Sequence, residues 1–184
     1  VFTNEMMTRG DGKLFYKRIM IGAGDGGIFV DPRDIVTTPI GNLIVADSGR
    51  GRVIEFTPAN EFVAFRDRFG GDAEPAGPSA VALGANADVV VSDGLGVIRR
   101  RASMDVAPVT VDLAPIVGAS VRVVDLEVDK YGNVYALDRA QGYVHVLTPN
   151  LEYVCSLGGP TSGPLIQDVL LDDPRGLFMR PIGG

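Results

Sequence analysis

Three aspartates recur at almost equal intervals in the 184-residue chain: Asp47, Asp93 and Asp138, 46 and 45 residues apart. Each follows a short apolar run and opens a corner of small residues, as in "GNLIVADSGRGRVIEF" (41–56). A ring of carboxylates could hold a hard cation through oxygen ligands. Asp can equally accept backbone N–H bonds and pin a tight turn. Because the residue returns in every unit, the structural role is expected, and Asp47, Asp93 and Asp138 are read as turn aspartates. Arg52, just past the first corner, is placed to brace Asp47; Tyr143 stands in its place in the third unit.

Other chemistry-bearing residues are sparse. His145 is the only histidine and Cys155 the only thiol. Zinc usually takes three or four ligands from His, Cys or carboxylates, so neither a metal site nor a cofactor is expected. Ser48 and Ser92 have no histidine placed to activate them, which disfavours a serine hydrolase. "GAGDGG" (22–27) lacks the Lys-Ser/Thr ending and following helix of a phosphate loop, and reads as a crossover. Asp172 and Asp173 form an acidic pair in another crossover. On a strand, Arg99 and Arg101 would share one face and Arg100 the other. Without interleaved aromatics for base stacking, this run is expected at a solvated rim or paired with acidic neighbours of the "DRD" type.

The formal net charge is −6. Nucleic-acid binding needs a clustered positive surface, so nucleic acid is not an expected partner. With 46% hydrophobic and 22% charged residues, the chain suits one globular domain with a real core. No apolar run approaches the ~18 residues of a membrane span, and no membrane insertion is expected. A single cysteine and no visible leader at Val1 lean toward an intracellular setting.

What positions these residues is a repeat. "GNLIVADSGRGRVIEFTP" (41–58), "ADVVVSDGLGVIRR" (87–100) and "GNVYALDRAQGYVHVLTP" (132–149) each run turn, apolar stretch, Asp, small-residue turn, second β-type stretch. Pro32 and Pro78 precede two of them at a spacing of 46, Pro174 opens a further unit, and "EFVAFRDRFGG" (61–71) matches "EYVCSLGG" (152–159). A four-strand unit of about 40–45 residues is the period of propeller blades. In the first full unit, strands a to d are expected near 34–37, 43–46, 52–56 and 62–66, with hairpins at Gly41-Asn42 and Thr57-Pro58. The b strands "LIVA", "VVVS" and "VYAL" are apolar on both faces. A half-exposed sheet would alternate instead.

The expected fold class is therefore all-β: a β-propeller of four-stranded antiparallel blades, about four blades' worth of chain in one domain, 1–184. A partial blade is expected at 1–28, blades at about 29–74, 75–120 and 121–166, and the start of another at 167–184. Either the chain is an excerpt of a longer one, or its two ends share a fourth blade.

The units resemble the NHL-repeat family of β-propellers. Pro32 with "RDIV", "GNLIVADSGRGRVIEF" and "FVAFRDRFG" carry the likeness; "VYALDRAQGYVHVL" fits well and the unit at 78–113, with its shorter "DGLG" turn, fits loosely. The resemblance implies a six-bladed ring. In a propeller the d–a and b–c loops share one face. The d–a loops, expected at about 70–78, 102–124 and 158–173, are rich in Pro, Gly and Ala. That suits a contact surface better than a cleft of converging titratable groups. The expected function is a non-enzymatic scaffold for protein–protein contact within a larger chain or assembly, with other subunits as partners. The contact residues expected are Arg50, Arg52, Arg139 and Gln141 from b–c turns, with Arg33 and Arg175 at the starts of a strands. The resemblance leaves two alternatives open. One is a calcium- or zinc-dependent lyase or lactonase-like enzyme with site residues outside this segment, since the family's amidating lyases use several zinc-binding histidines. The other is an RNA-binding propeller using Arg99–Arg101.

Overall fold

A computed structural model describes residues 27–69, 77–158 and 175–177. Among them lie three four-stranded antiparallel sheets, each a plain meander. The first contains β1 (Pro32–Thr37), β2 (Leu43–Asp47), β3 (Arg52–Phe56) and β4 (Phe62–Arg68). The second contains β5 (Ala80–Leu83), β6 (Val89–Ser92), β7 (Val97–Arg101) and β8 (Val109–Asp112). The third contains β9 (Val123–Val128), β10 (Val134–Asp138), β11 (Tyr143–Leu147) and β12 (Tyr153–Gly158). The four-stranded antiparallel form is the expected one.

The punctuation read from the sequence works through specific bonds. In the a–b hairpins the amide of Gly41 donates to Thr38 O, that of Ala87 to Gly84 O, and that of Gly132 to Asp129 O. All three donors have positive φ (87°, 60° and 88°), a conformation that glycine adopts without steric cost. In the first and third blades the c–d hairpins are copies. Thr57 and Thr148 hydroxyls accept the amides of Glu61 and Glu152, both at 3.1 Å.

Both faces of β2 and of β6 are covered. Ile44, Ala46, Val53 and Phe69 pack with Val81, Val89 and Val91 between the first two blades. Val90 and Ile98 point the other way and join Val123, Val134, Ala136 and Leu147 between the second and third. Val45, Ile54 and Phe56 pack with Phe29 on the far face of the first. Neighbouring residues on one strand thus serve opposite interfaces, which is why their sequence shows no alternation.

The a strands β1, β5 and β9 lie side by side and stitch the blades together. Val81 N–H donates to Asp34 at 2.8 Å; Leu177 N–H donates to the Asp125 carboxylate in the same way, from the next blade position. Farther out, Arg66 pairs with Glu55 and donates to Ala87 O. Arg100 pairs with Asp88 and donates to Gly132 O at 2.8 Å. Both arginines grip the positive-φ residue of the next blade's a–b hairpin.

One expectation is corrected. Residues 102–124 are not a single d–a loop, because β8 and a short helix α1 (Ala114–Val117) interrupt them. The partial blade 1–28 (apart from 27–28), "GAGDGG" (22–27, apart from Gly27), loop residues 70–76 and 159–174 with Asp172 and Asp173, and residues 178–184 lie outside the described residues. Among the described residues no helix is long and apolar enough to cross a membrane.

Candidate functional site at the channel mouth

The a strands start beside the b–c turns, and there three blades contribute to one cavity of about 670 Å³. Its lining includes Arg33, Arg122, Arg139, Ser48, Ser79 and Asp93. Close backbone approach shapes it. A Cβ on Gly77 would lie 2.1 Å from Ser48 O, so only glycine lets the chain enter the second blade past the first blade's b–c turn. Ser79 Oγ, 3.2 Å from Ser92 O and 3.3 Å from Val123 O, bridges the second and third blades.

Farther along the same strands a second cavity, about 550 Å³, is lined by Asp34, Asp125, Glu127, Val36, Leu83 and Leu177. Burial raises the pKa of Asp34, Asp125 and Glu127. Repulsion by Asp125 adds to the rise at Asp34, and repulsion by Asp125 and Asp34 adds to it at Glu127. Backbone N–H groups oppose the rise: Val81 and Ile35 at Asp34, Leu177 and Leu126 at Asp125. Sequence reasoning missed this set. Its signal was present in the a strands, where "PRDIV" and "VVDLEV" place Asp34 and Asp125 at matching positions.

The three turn aspartates are held by three different sets of bonds. Asp93 accepts amides of its own turn, from Leu95 at 2.7 Å and Val97 at 3.1 Å. Asp47 reaches outside its turn: Oδ1 accepts the Val30 amide at 2.7 Å and Oδ2 accepts Arg52 Nε at 2.9 Å. Asp138 Oδ1 accepts the amides of Ala140 and Arg122, both at 2.9 Å. Its Oδ2 lies 3.4 Å from His145 Nε2. His145 therefore supplies in the third blade the brace that Arg52 supplies in the first. Its Nδ1 is 2.7 Å from Ser156 Oγ, which is 2.8 Å from Tyr153 OH. Asp138, His145 and Ser156 form a relay by residue type, but His145 is 1% exposed, which leaves no room for a substrate at the imidazole.

The structure brings Arg33 and Arg139 together at the mouth, beside Arg122, which no proline marks as the start of an a strand. Arg52 turns inward (7% exposed) onto Asp47 and is not displayed on the loop face. Arg50 is exposed at the end of a 3-10 turn (Ser48–Arg50) and lines a separate rim cavity with Phe65 and Arg68. Gln141 donates to Ser120 O at 3.2 Å. Arg175 is exposed.

The Arg99–Arg101 run grips protein on both sides. Arg99 lies over the Phe69 ring at 4.4 Å. Arg101 Nε is 2.9 Å from Asp67 Oδ1. Arg100 reaches Gly132 O and Pro149 O in the third blade. Among the described residues no group of three or more His, Cys, Asp or Glu is placed to hold a metal ion.

No family model matches the chain, and no curated protein sequence matches it. Among solved structures, virginiamycin B lyase from Staphylococcus aureus is similar with TM-score 0.57 at 12% identity over 85% of this chain. A streptogramin B lyase matches with TM-score 0.58 at 11% identity over 87%. A gluconolactonase from Xanthomonas campestris matches with TM-score 0.52 at 16% identity over 86%. The chain spans about half of each: 55% of all three. Likeness at such identity speaks to architecture, and with three stacked four-stranded sheets it makes the fold a β-propeller.

Proposed function

We propose that this chain forms an arc of a propeller that binds and transforms a small molecule in its central channel, a lyase- or lactonase-like role. The observation that carries this reading is the set Asp34 on β1 with Asp125 and Glu127 on β9, across β5 from one another, lining a cavity of about 550 Å³ with their pKa values raised. A carboxyl held above its ordinary range is better matched to proton transfer near neutral pH. Two backbone N–H groups engage each of Asp34 and Asp125. Glu127 is the member best placed to exchange a proton with a ligand. In lactone opening, its carboxylate would take a proton from the water attacking the carbonyl and return it to the ring oxygen as the acyl C–O bond breaks; in an elimination, it would take one from carbon as the neighbouring C–O bond breaks, and the departing oxygen would keep the electron pair and recover the proton. Other blades of the ring would complete the site, and no step here runs through a metal. Lyase and lactonase propellers among the similar structures support this reading. We read the repeat as the NHL kind, in a six-bladed ring with units at about 29–74, 75–120 and 121–166, on the strength of the three motifs in phase.

The full-length polypeptide should open at least one member of a panel of sugar lactones and streptogramin B, followed by acid release or chromatography. Glu127→Gln should lower kcat by about 100-fold or more. Absence of turnover and binding across the panel, or turnover indifferent to Glu127→Gln, would overturn the reading.

A protein-binding scaffold is the second reading. Exposed Val63 on β4, and Val154 and Leu157 on β12, favour it by offering apolar contact at the rim. Val154→Ser with Leu157→Ser would then abolish partner capture and leave channel chemistry intact.

A further inference from the structure

We infer that the outer rim of the first blade carries a docking groove for an extended peptide of a partner protein, acidic at one end and apolar at the other. Arg50 and Arg68 read the acidic end. Both line the rim cavity of about 370 Å³, with Phe65 and Phe69. The backbone sets the two side by side. The amide of Phe69 donates to Gly51 O at 2.6 Å, which fastens the b–c turn to the end of β4. A Cβ on Gly51 would lie 2.3 Å from Phe69 O, so the approach needs glycine. Arg50 and Arg68 each immediately precede one member of that bonded pair. The Arg68 guanidinium lies over the Phe65 ring, 3.8 Å from its centroid. Arg52 and Arg66, on the same linings, are paired with Asp47 and Glu55. Among the described residues no carboxylate is paired with Arg50 or Arg68.

The repeat supplies an internal comparison. The glycine before strand c has positive φ in all three blades: Gly51, Gly96 and Gly142. Arg50 precedes it in the first, Leu95 in the second and Gln141 in the third. On strand d, the residue facing the start of strand c is Arg68, then Asp112, then Gly158. The second blade makes the same turn-to-strand bond, from Leu113 N–H to Gly96 O at 3.0 Å, with no arginine at either place. The turn therefore forms without these cations, and the pair is a surface feature of the first blade alone among the three.

A second cavity, about 540 Å³, shares Phe65 and Arg68 with the first and continues to Ala64, Ala102 and Met104. Met104 is exposed there. The one carboxylate on either lining, Asp105, is also at this end. It opposes a uniform polyanion such as a nucleic-acid backbone and suits a strand whose acids stop at Arg68. Guanidiniums take carboxylates through charge-assisted, fork-shaped hydrogen bonds. Arg, Met and aromatic side chains are the ones enriched where proteins meet. The groove is separate from the channel.

The test is fluorescence anisotropy of the full-length polypeptide with a labelled, end-blocked peptide in which a short run of glutamates is followed by leucines and serines. A counterpart carries lysines in place of the glutamates. The acidic peptide should bind, its lysine counterpart should not, and salt should weaken the binding. Arg50→Gln with Arg68→Gln should weaken the acidic peptide by about tenfold or more, with the urea midpoint unchanged. Met104→Ser should weaken it by about threefold. Absence of binding by the acidic peptide, or binding untouched by the double variant or by Met104→Ser, overturns the groove. A lowered urea midpoint in the double variant would make the arginines part of the fold and overturn it too. Tighter, arginine-dependent binding of a single-stranded RNA would overturn the peptide class. Each of these failures leaves the channel reading and the Val154–Leu157 patch standing, because those rest on other residues.

Discussion

Asp47 and Asp138 are both 0% exposed, and each needs a partner for its second oxygen because an unpaired buried carboxylate is costly. The first blade uses Arg52 and the third uses His145. Arg52→Met, which keeps the packing and removes the charge, should destabilise the fold by about 3 kcal/mol, read from the urea midpoint. His145→Leu should cost about 2 kcal/mol by stranding Asp138 Oδ2. Arg52's role was legible because it directly faces Asp47 across the turn. His145 was not, because alignment sets it opposite Ile54, two places farther along the strand. Those two places keep it on the same strand face, and the imidazole spans the gap. At Glu127 the raised pKa means that the folded chain binds a proton more tightly than the unfolded one. Stability is lost as pH rises from the ordinary carboxyl range through the raised value, and is regained on acidification. Glu127→Gln should remove that contribution to the pH dependence. At neutral pH it should gain no more than about 0.5 kcal/mol, because solvent screens the group. Urea midpoints at mildly acidic and neutral pH check this.

Between elements, the recurring device is an acid-paired arginine that grips the next blade's a–b hairpin. Arg66 holds Ala87 O and Arg100 holds Gly132 O. Arg100→Met leaves Asp88 and two carbonyls without their cation. It should cost about 2 kcal/mol, and amide exchange should accelerate first around Gly132–Val134. The repeat in the sequence announced the hairpins, but not the clamp, because Arg66 comes from strand d and Arg100 from strand c. That the arginine run would need acidic neighbours was legible in its charge; the partner Asp67 and the contact to the third blade are visible only once blades are stacked. β8 went unseen for a different reason. It has four residues, follows an exposed, weakly patterned connection longer than the other c–d turns, and is partly solvated itself. Its apolar pattern was too short to stand out.

For the whole molecule, the apolar b strands were the most informative feature of the sequence, since runs without alternation imply cover on both sides. The channel was less legible. Asp34 is far in the chain from Asp125 and Glu127, and only the side-by-side arrangement of β1, β5 and β9 brings them to one cavity. Radial stacking thus underlies both the fold and the proposed chemistry. The most direct check is the stability of two variants at adjacent positions of β6, Val90→Ala and Val91→Ala. Val91 packs toward the first blade and Val90 toward the third. Each truncation should lower the unfolding free energy by a similar amount, about 2 kcal/mol. A loss at one position with no effect at its neighbour would mean a sheet covered on one face only, and would contradict the stacked-blade architecture.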